Sequence, residues 1–499
     1  MVLRSACALL VVSLASRADP FEPVRAYARA RLSEVPSISI AVAKGDKIVW
    51  EEAFGWADRE QRIAATPDTG YSLASISKPI TGTALFTLVK AGKLDLDKPI
   101  NDYLGAAKLI ARMGDAREAT VRRVANHSAG LPEHYQFFYE NEPWRVPSAD
   151  ETILRFGNLF AAPGERFEYS NLGYGILSSM IARISGKTFG DYLRQEVFLP
   201  LGMTRSSLEP SPSQAIRYGV DGLPIAWYET DHEGASAIFS SAHDLVRFGQ
   251  FNLELHLRDQ RAILSDEQIE AMHAPTMDEG NGKGYGAGWE TSTATGYATL
   301  AHTGGMPGVT TELRTVPAEK LVVVVLCNGE ANGFTHELAD RIMALMLPRF
   351  KAEDRSQPPQ SDSFSPPKEL VGVWKGTVST YAAELPFTIT IPESGDVHVK
   401  LGERLSALLN RTRLTNTGSL RGVFVGDLGI AEEFRRPHVL ALNLKLRGDV
   451  LNGEITTRAD NAGVAPTHGL FPPVGGHPAP ARVQTQAFIL AQWVALTRQ

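Results

Sequence analysis

Residues 321–327 read LVVVVLC, seven apolar side chains in a row with four valines at their centre. Such a run has no polar face. A strand apolar on both sides is stable only in the middle of a sheet covered above and below, so the rest of the chain must supply covering layers on two faces. Helical patterns are available for this. Segments 172–186 (LGYGILSSMIARISG) and 240–252 (SSAHDLVRFGQFN) repeat apolar residues at helical spacing and begin or end at Ser or Gly, and 336–347 (HELADRIMALML) closes the region as a further helix. Partner strands come from two distant places. PSISIAVAKGDKIVWEEAFGWAD (36–58) reads as two strands around a Gly-Asp turn, and YGAGWET, ATLAHTGG and VTTELRTV precede the valine run. Strands from both ends with helices inserted between them predict an α/β (α+β) domain with a mixed sheet and a helical insertion, spanning 22–350.

At 499 residues the chain exceeds what one core usually supports, and a second domain is expected. The stretch RSQPPQSDSFSPP, within 351–366, is dominated by Ser and Pro and reads as a linker stiffened by its prolines. From 367 to 499, ELVGVWKGTVST, LPFTITIPESGDVHVKLG, SLRGVFVGDL and LALNLKLRGDVLNGEITTR alternate between turns of Gly-Asp and Asn-Gly type. A small antiparallel β-barrel of about eight strands, closed by AFILAQWVALTR, fits this pattern. Residues 1–18 carry a basic Arg4, an apolar run too short to span a bilayer, and small residues at Ser16 and Ala18. That is the layout of a secretory signal, and it places the mature chain in the periplasm or outside a bacterial cell with no integral membrane segment left. Of the two cysteines, Cys7 falls in this leader, so Cys327 has no disulfide partner and reads as a small buried hydrophobe. The formal net charge of −6, without a dense Lys/Arg block, argues against nucleic acid as a partner.

The chemistry concentrates in three short stretches. In YSLASISKPITGT (71–83), Ser75 and Lys78 lie three apart and share a helix face, whereas Ser77 points elsewhere. An ordinary helix cap would also put serine there. A serine hydroxyl becomes a good nucleophile only when a neighbour takes its proton, and an amine can do so only with a pKa well below its usual ~10.4. Pro79 disfavours helical geometry at Lys78, which predicts an irregular turn. The second stretch, Tyr169-Ser170-Asn171, precedes an amphipathic helix and could be a plain cap. The third, LAHTGGMPG (300–308), ends a strand in glycines, with His302 and Gly305 as its marked residues.

In this order, Ser-x-x-Lys, Tyr-x-Asn and His-Thr-Gly resemble the three-motif signature of penicillin-recognising serine hydrolases: class C β-lactamases, D-alanyl-D-alanine carboxypeptidases, D-stereospecific aminopeptidases and related esterases. ATPDTGYSLASISKP, VRRVANHSAGLP and EGASAIFSSAHDLVRF agree with that family, and the resemblance covers about 35–347. More loosely, the region from 367 resembles lipocalin-like barrels appended to some peptidases of this group. The resemblance implies that Ser75 is acylated, and that Lys78 and Tyr169 manage its proton, with Tyr169 as general base and later acid. It also implies that Asn171 orients Lys78 or the substrate, and that the backbone N–H groups of Ser75 and Gly305 form an oxyanion hole. The implied activity is a peptidase acting on D-amino-acid peptides or amides, or a carboxylesterase. A β-lactamase or penicillin-binding protein, and a non-catalytic sensor retaining the fold, are the alternatives. No metal or cofactor is implied. The expected partners are a small molecule or short peptide and, by analogy, further copies of the chain. His302 departs from the penicillin-processing members, which place a lysine there. A histidine is only partly charged at neutral pH, which weakens carboxylate recognition and favours esters, amides or short peptides over β-lactams.

The aromatic stretch PEHYQFFYENEPW (132–144) either lines an acyl pocket or is a loop held down by buried rings. HELAD lacks the second histidine of a zinc helix, and GNGKGYGAG (280–288) lacks the Ser or Thr of a phosphate loop.

Overall fold

The computed structural model describes residues 19–330, 333–353, 364–459 and 488–499. The expected leader at 1–18 and most of the expected linker lie outside the described residues. Leu321–Cys327 is a strand at the centre of a nine-stranded sheet, flanked by Val309–Val316 and Ser37–Lys44. All seven of its residues are buried. Its side chains alternate between two cores. Leu321, Val323, Val325 and Cys327 meet the helices Glu22–Ala30 and Phe334–Met346, while Val322, Val324 and Leu326 meet Ser77–Lys90 and Ala242–Asn252. The valine run is therefore covered on both faces, as its composition demands.

From the other edge the sheet runs Met277–Gly280, Lys283–Tyr285, Glu290–Ser292, Thr299–Met306, Val309–Val316, Leu321–Cys327, Ser37–Lys44, Lys47–Asp58 and Ile63–Ala64. In one detail it differs from expectation. Every pairing is antiparallel rather than mixed, because consecutive hairpins build both halves and the two halves meet in opposite directions at Ser37–Lys44 and Leu321–Cys327. The helical insertion, including Asn171–Ser185, packs beside this sheet.

The C-terminal region is a second nine-stranded antiparallel sheet. Its edge strands Ala407–Leu408 and Asn410–Leu414 follow each other directly in the chain, so the sheet is nearly closed into a barrel. Its interior is filled by side chains such as Trp374, Phe387, Leu442, Ile455 and Val494. Phe488–Arg498 sits between Gly372–Ser379 and Val450–Ala459. Among the described residues, no helix is long and apolar enough to cross a membrane.

Candidate active site

Ser75 lies in a single 3₁₀ turn, Ala74–Ile76, immediately before the helix Ser77–Lys90. The irregularity expected at Lys78 is absent: the helix is regular through Lys78 and Pro79, a first-turn position where proline's missing N–H costs nothing, and the irregular turn lies just before it, at 74–76. Ala74 adopts a left-handed φ of +49°, an uncommon conformation for a residue with a Cβ, and it brings the chain into the turn. Ser75 is half-buried, whereas Ser77 is fully buried and its Oγ accepts from the Ile238 N–H at 3.2 Å. Lys78 has no exposed surface. Its Nζ lies 3.1 Å from Ser75 Oγ, 2.8 Å from Asn171 Oδ1 and 3.1 Å from the Ala235 carbonyl. Burial drives its amine well below the ordinary lysine range, only partly opposed by the carboxyl of Glu290. The glycines of 284–288 serve packing here. A Cβ on Gly288 would stand 2.4 Å from the Lys78 carbonyl oxygen, so only glycine lets this stretch lie against the start of the helix.

Ser170 caps the helix Asn171–Ser185, accepting from Gly173 N–H and donating to the Pro132 carbonyl. The cap aims its neighbours on either side. Tyr169 OH donates to Ser75 Oγ at 2.9 Å, and Asn171 Nδ2 donates to the His134 carbonyl, which turns its Oδ1 toward Lys78. Tyr169 is held from behind by His127, whose ring lies 4.5 Å away and whose Nδ1 accepts from the Ser170 N–H. Burial pushes the phenol of Tyr169 far above its ordinary value, so the neutral form prevails.

On the strand Thr299–Met306, Gly305 is exposed, while the imidazole of His302 is 1% exposed and faces inward. Its Nδ1 donates to the Thr303 carbonyl, and its Nε2 accepts from Tyr285 OH at 2.8 Å. Burial pulls its pKa down to about 3, so the ring is neutral. Gly304 is where this strand meets the nucleophile turn. A Cβ there would stand 2.1 Å from Thr311 Oγ1 and 2.3 Å from the Leu73 carbonyl oxygen. Gly304→Val is expected to force the strand away from Ser75, costing about 1–3 kcal/mol or more in stability and at least tenfold in turnover. Urea denaturation and steady-state assays would check this; a variant of wild-type activity would show that the contact yields freely.

Behind Asn171 lies a buried group that the sequence reading missed. Asp231 accepts from His134 Nε2 at 2.8 Å, His232 Nδ1 at 2.9 Å and Gln136 Nε2 at 3.0 Å. Among the described residues, His134, Asp231 and His232 are the group with metal-ligand chemistry at short range. Here both imidazoles hydrogen-bond the carboxylate, and the three together fix the 132–137 segment whose carbonyls receive Ser170 and Asn171. The rings of Phe137, Phe138 and Tyr139 are buried in packing, so of the two readings of this aromatic stretch the structure has the held-down loop. Tyr135 reaches over the glycine strand, its OH donating to the Gly305 carbonyl at 2.8 Å.

The barrel grips the same segment. Ile489 and Tyr135 exchange two backbone hydrogen bonds of 2.8 and 3.0 Å. Arg435 donates to Gln136 Oε1 at 2.7 Å and to the Phe137 carbonyl, and it lies over the Phe138 ring. Arg436 pairs with Glu142. Arg435→Ala leaves these acceptors and Glu142 with fewer donors in a buried setting, and is expected to cost about 3 kcal/mol of stability. Urea unfolding would check this; a loss below 1 kcal/mol would show the grip to be incidental.

Residues 24–347 match the family model described as Beta-lactamase. Penicillin-binding protein 4* of Bacillus subtilis is 25% identical over 320 residues, which cover 58% of this chain and 68% of that protein. Protein flp of Staphylococcus aureus (strain N315) is 24% identical over 304 residues, 59% of this chain, and the chain spans only 60% of its length. Among solved structures, the octameric penicillin-binding protein homologue from Pyrococcus abyssi superposes with a TM-score of 0.57 at 24% identity, covering 86% of this chain and 97% of that one.

Proposed function

Because the chain belongs to the beta-lactamase family, we propose that it is a serine hydrolase that cleaves ester or amide bonds through an acyl-enzyme on Ser75. The observation that carries this reading is the convergence of Lys78 Nζ and Tyr169 OH on one hydroxyl oxygen, at 3.1 and 2.9 Å.

The hydrogen-bond partners support a proton route in which Lys78, rather than Tyr169 as the resemblance implies, takes the serine proton. A neutral amine has two N–H groups and one lone pair. Two of the three oxygens around Lys78, Asn171 Oδ1 and the Ala235 carbonyl, can only accept, so they take both N–H groups and leave the lone pair facing Ser75. Ser75 Oγ gives its proton to Lys78 as it attacks the carbonyl carbon, and the new C–O bond forms the tetrahedral oxyanion. The N–H groups of Ser75 and Gly305 hold that oxyanion, worth about 3–4 kcal/mol per donor in comparable hydrolases. Tyr169, kept neutral by burial, donates to Ser75 Oγ at rest; as the scissile bond breaks it passes its proton to the leaving oxygen or nitrogen and recovers one from the Lys78 ammonium, so both groups are neutral again in the acyl-enzyme. Water then attacks the acyl-enzyme, giving up its proton by the reverse path and releasing the acid.

The neutral His302 presents no cation for a substrate carboxylate beside Ser75, which supports short acyl esters, amides or D-residue peptides over β-lactams. A fluorophosphonate probe followed by mass spectrometry tests the nucleophile. The expected result is one adduct on the peptide containing Ser75, whereas folded protein without adduct supports the non-catalytic reading. Turnover of nitrocefin faster than of short esters or D-amino-acid amides would reverse the substrate ranking. Export, and assembly into an oligomer such as the octamer named for the Pyrococcus protein, belong to the same proposal. N-terminal sequencing of the exported chain and sedimentation velocity test them.

A further inference from the structure

An open cleft of about 790 Å³ lies on the outer wall of the barrel, and among the described residues Glu133 is its one lining residue from the catalytic region. Glu133 is exposed on its rim, between Pro132 and His134, whose carbonyls receive Ser170 and Asn171. Its floor is the outer face of four barrel strands. Across that floor runs a row in register, Arg413 opposite Arg421, Arg421 opposite Asn443, and Asn443 opposite Glu454. Arg421 Nε donates to Asn443 Oδ1, and Asn443 Nδ2 donates to Glu454 Oε1, so Glu454 is engaged at the inner side while the outer side stays cationic. Like charges directly opposite on neighbouring strands are destabilising, yet Arg413 and Arg421 stand so, both exposed, with Arg411 beside them. Among the described residues, none of these three forms a direct ion pair with a carboxylate, although Arg421 is near enough to Glu454 to offset part of the rise that burial causes in its pKa. Nearer the active site, Arg458 lines the cavity with its Nε buried and unpartnered. Arg458 is opposite Ile489, the residue that pairs with Tyr135.

We propose that this cleft is an extension of the Ser75 site that holds an extended peptide and receives a carboxylate, several residues from the scissile bond, on Arg413 and Arg421. The proposal rests on the reading of Ser75 as nucleophile and adds a substrate class to it. The arginines compensate for what His302 does not supply, with the cation displaced outward. Tyr135 pairs with Ile489 on the side away from Arg458, so four strand spacings of ~4.8 Å separate it from the strand of Arg421; the carboxylate sits roughly 19 Å beyond Tyr135, a reach of about five to six extended residues. Two guanidinium forks at one place suit a carboxylate, and their mutual repulsion is relieved when it binds.

The test uses the full chain and two chromogenic peptides of about six residues, identical except that one ends in a free carboxylate and the other in an amide. A short neutral p-nitrophenyl ester serves as reference. In wild type, KM for the carboxylate peptide is expected to be about five- to tenfold lower than for the amide, with the gap shrinking in 0.5 M NaCl. In R413Q/R421Q the gap closes while turnover of the short ester, which does not reach the arginines, is retained, and Tm does not fall, since the substitution removes a like-charge pair. Equal KM values in wild type, or a gap that survives the double substitution, overturn the proposal. Calorimetric titration of Ser75→Ala with both peptides separates the two readings. If Ser75 is not the nucleophile, preferential binding of the carboxylate peptide that needs Arg413 and Arg421 still supports the cleft, and absence of that preference overturns it.

Discussion

Ser75→Ala is expected to lower kcat/KM by a factor of about 10⁴–10⁶ and to abolish fluorophosphonate labelling, while Ser77→Ala stays within a fewfold of wild type. The contrast follows from where the two hydroxyls go. Ser75 Oγ faces an amine and a phenol, and without it no acyl-enzyme can form. Ser77 Oγ is buried and accepts only from the Ile238 N–H, so its removal leaves one buried donor unsatisfied and costs about 1–3 kcal/mol of stability rather than chemistry. Steady-state kinetics and thermal melts on both variants read the difference. Loss of activity confined to Ser77→Ala would move the nucleophile and remove the basis of the proposed mechanism.

Lys78→Arg is expected to cost at least about 10³ in kcat/KM although it keeps a cation, because a guanidinium has no lone pair to receive the serine proton. The same reasoning sets the pH dependence. Since burial holds the amine well below its ordinary value, wild-type activity should fall on the acid side as Lys78 becomes an ammonium, with a midpoint well under the usual lysine pKa. The stability sign is opposite to that of a salt-bridged lysine. The unfolded chain binds this proton more tightly, so stability rises with pH from the depressed folded pKa up to the ordinary lysine range. Lys78→Met removes the penalty. Its Tm should exceed that of wild type at neutral pH, and the advantage should shrink as the pH rises and vanish about one unit above the ordinary lysine pKa, where the unfolded lysine is also neutral. A Tm deficit at neutral pH would mean that Lys78 is held as a cation, and the lone-pair argument would fail.

Much of this arrangement could be read from the sequence where spacing alone decides proximity. Ser75 and Lys78 share a helix face three residues apart, and LVVVVLC could be nothing other than a covered central strand. The antiparallel order of the sheet was less accessible, because it depends on how two distant hairpin sets meet. His127, Asp231, His232 and the left-handed Ala74 were invisible for a related reason. A lone histidine or an alanine carries no local sign of the partner that tertiary packing brings to it, although the unusual Asp-His-Glu just ahead of Ala235 was a hint. A barrel packed against the catalytic domain or a neighbouring subunit was the expectation, yet its hold on Tyr135 rests on one strand, Phe488–Arg498, that sequence pattern placed only as a closing segment. The structure places that strand in the middle of the barrel wall, against the catalytic loop.

That pairing has a consequence for biosynthesis. Residue 135 leaves the ribosome long before residue 489, so until residues 488–498 are made the aromatic loop of the nascent catalytic region is held by contacts within that region, such as those to Asp231, without its pairing to the barrel. A product ending before that strand would carry every side chain that touches Ser75 and still lack the two backbone bonds that tie Tyr135 to Ile489.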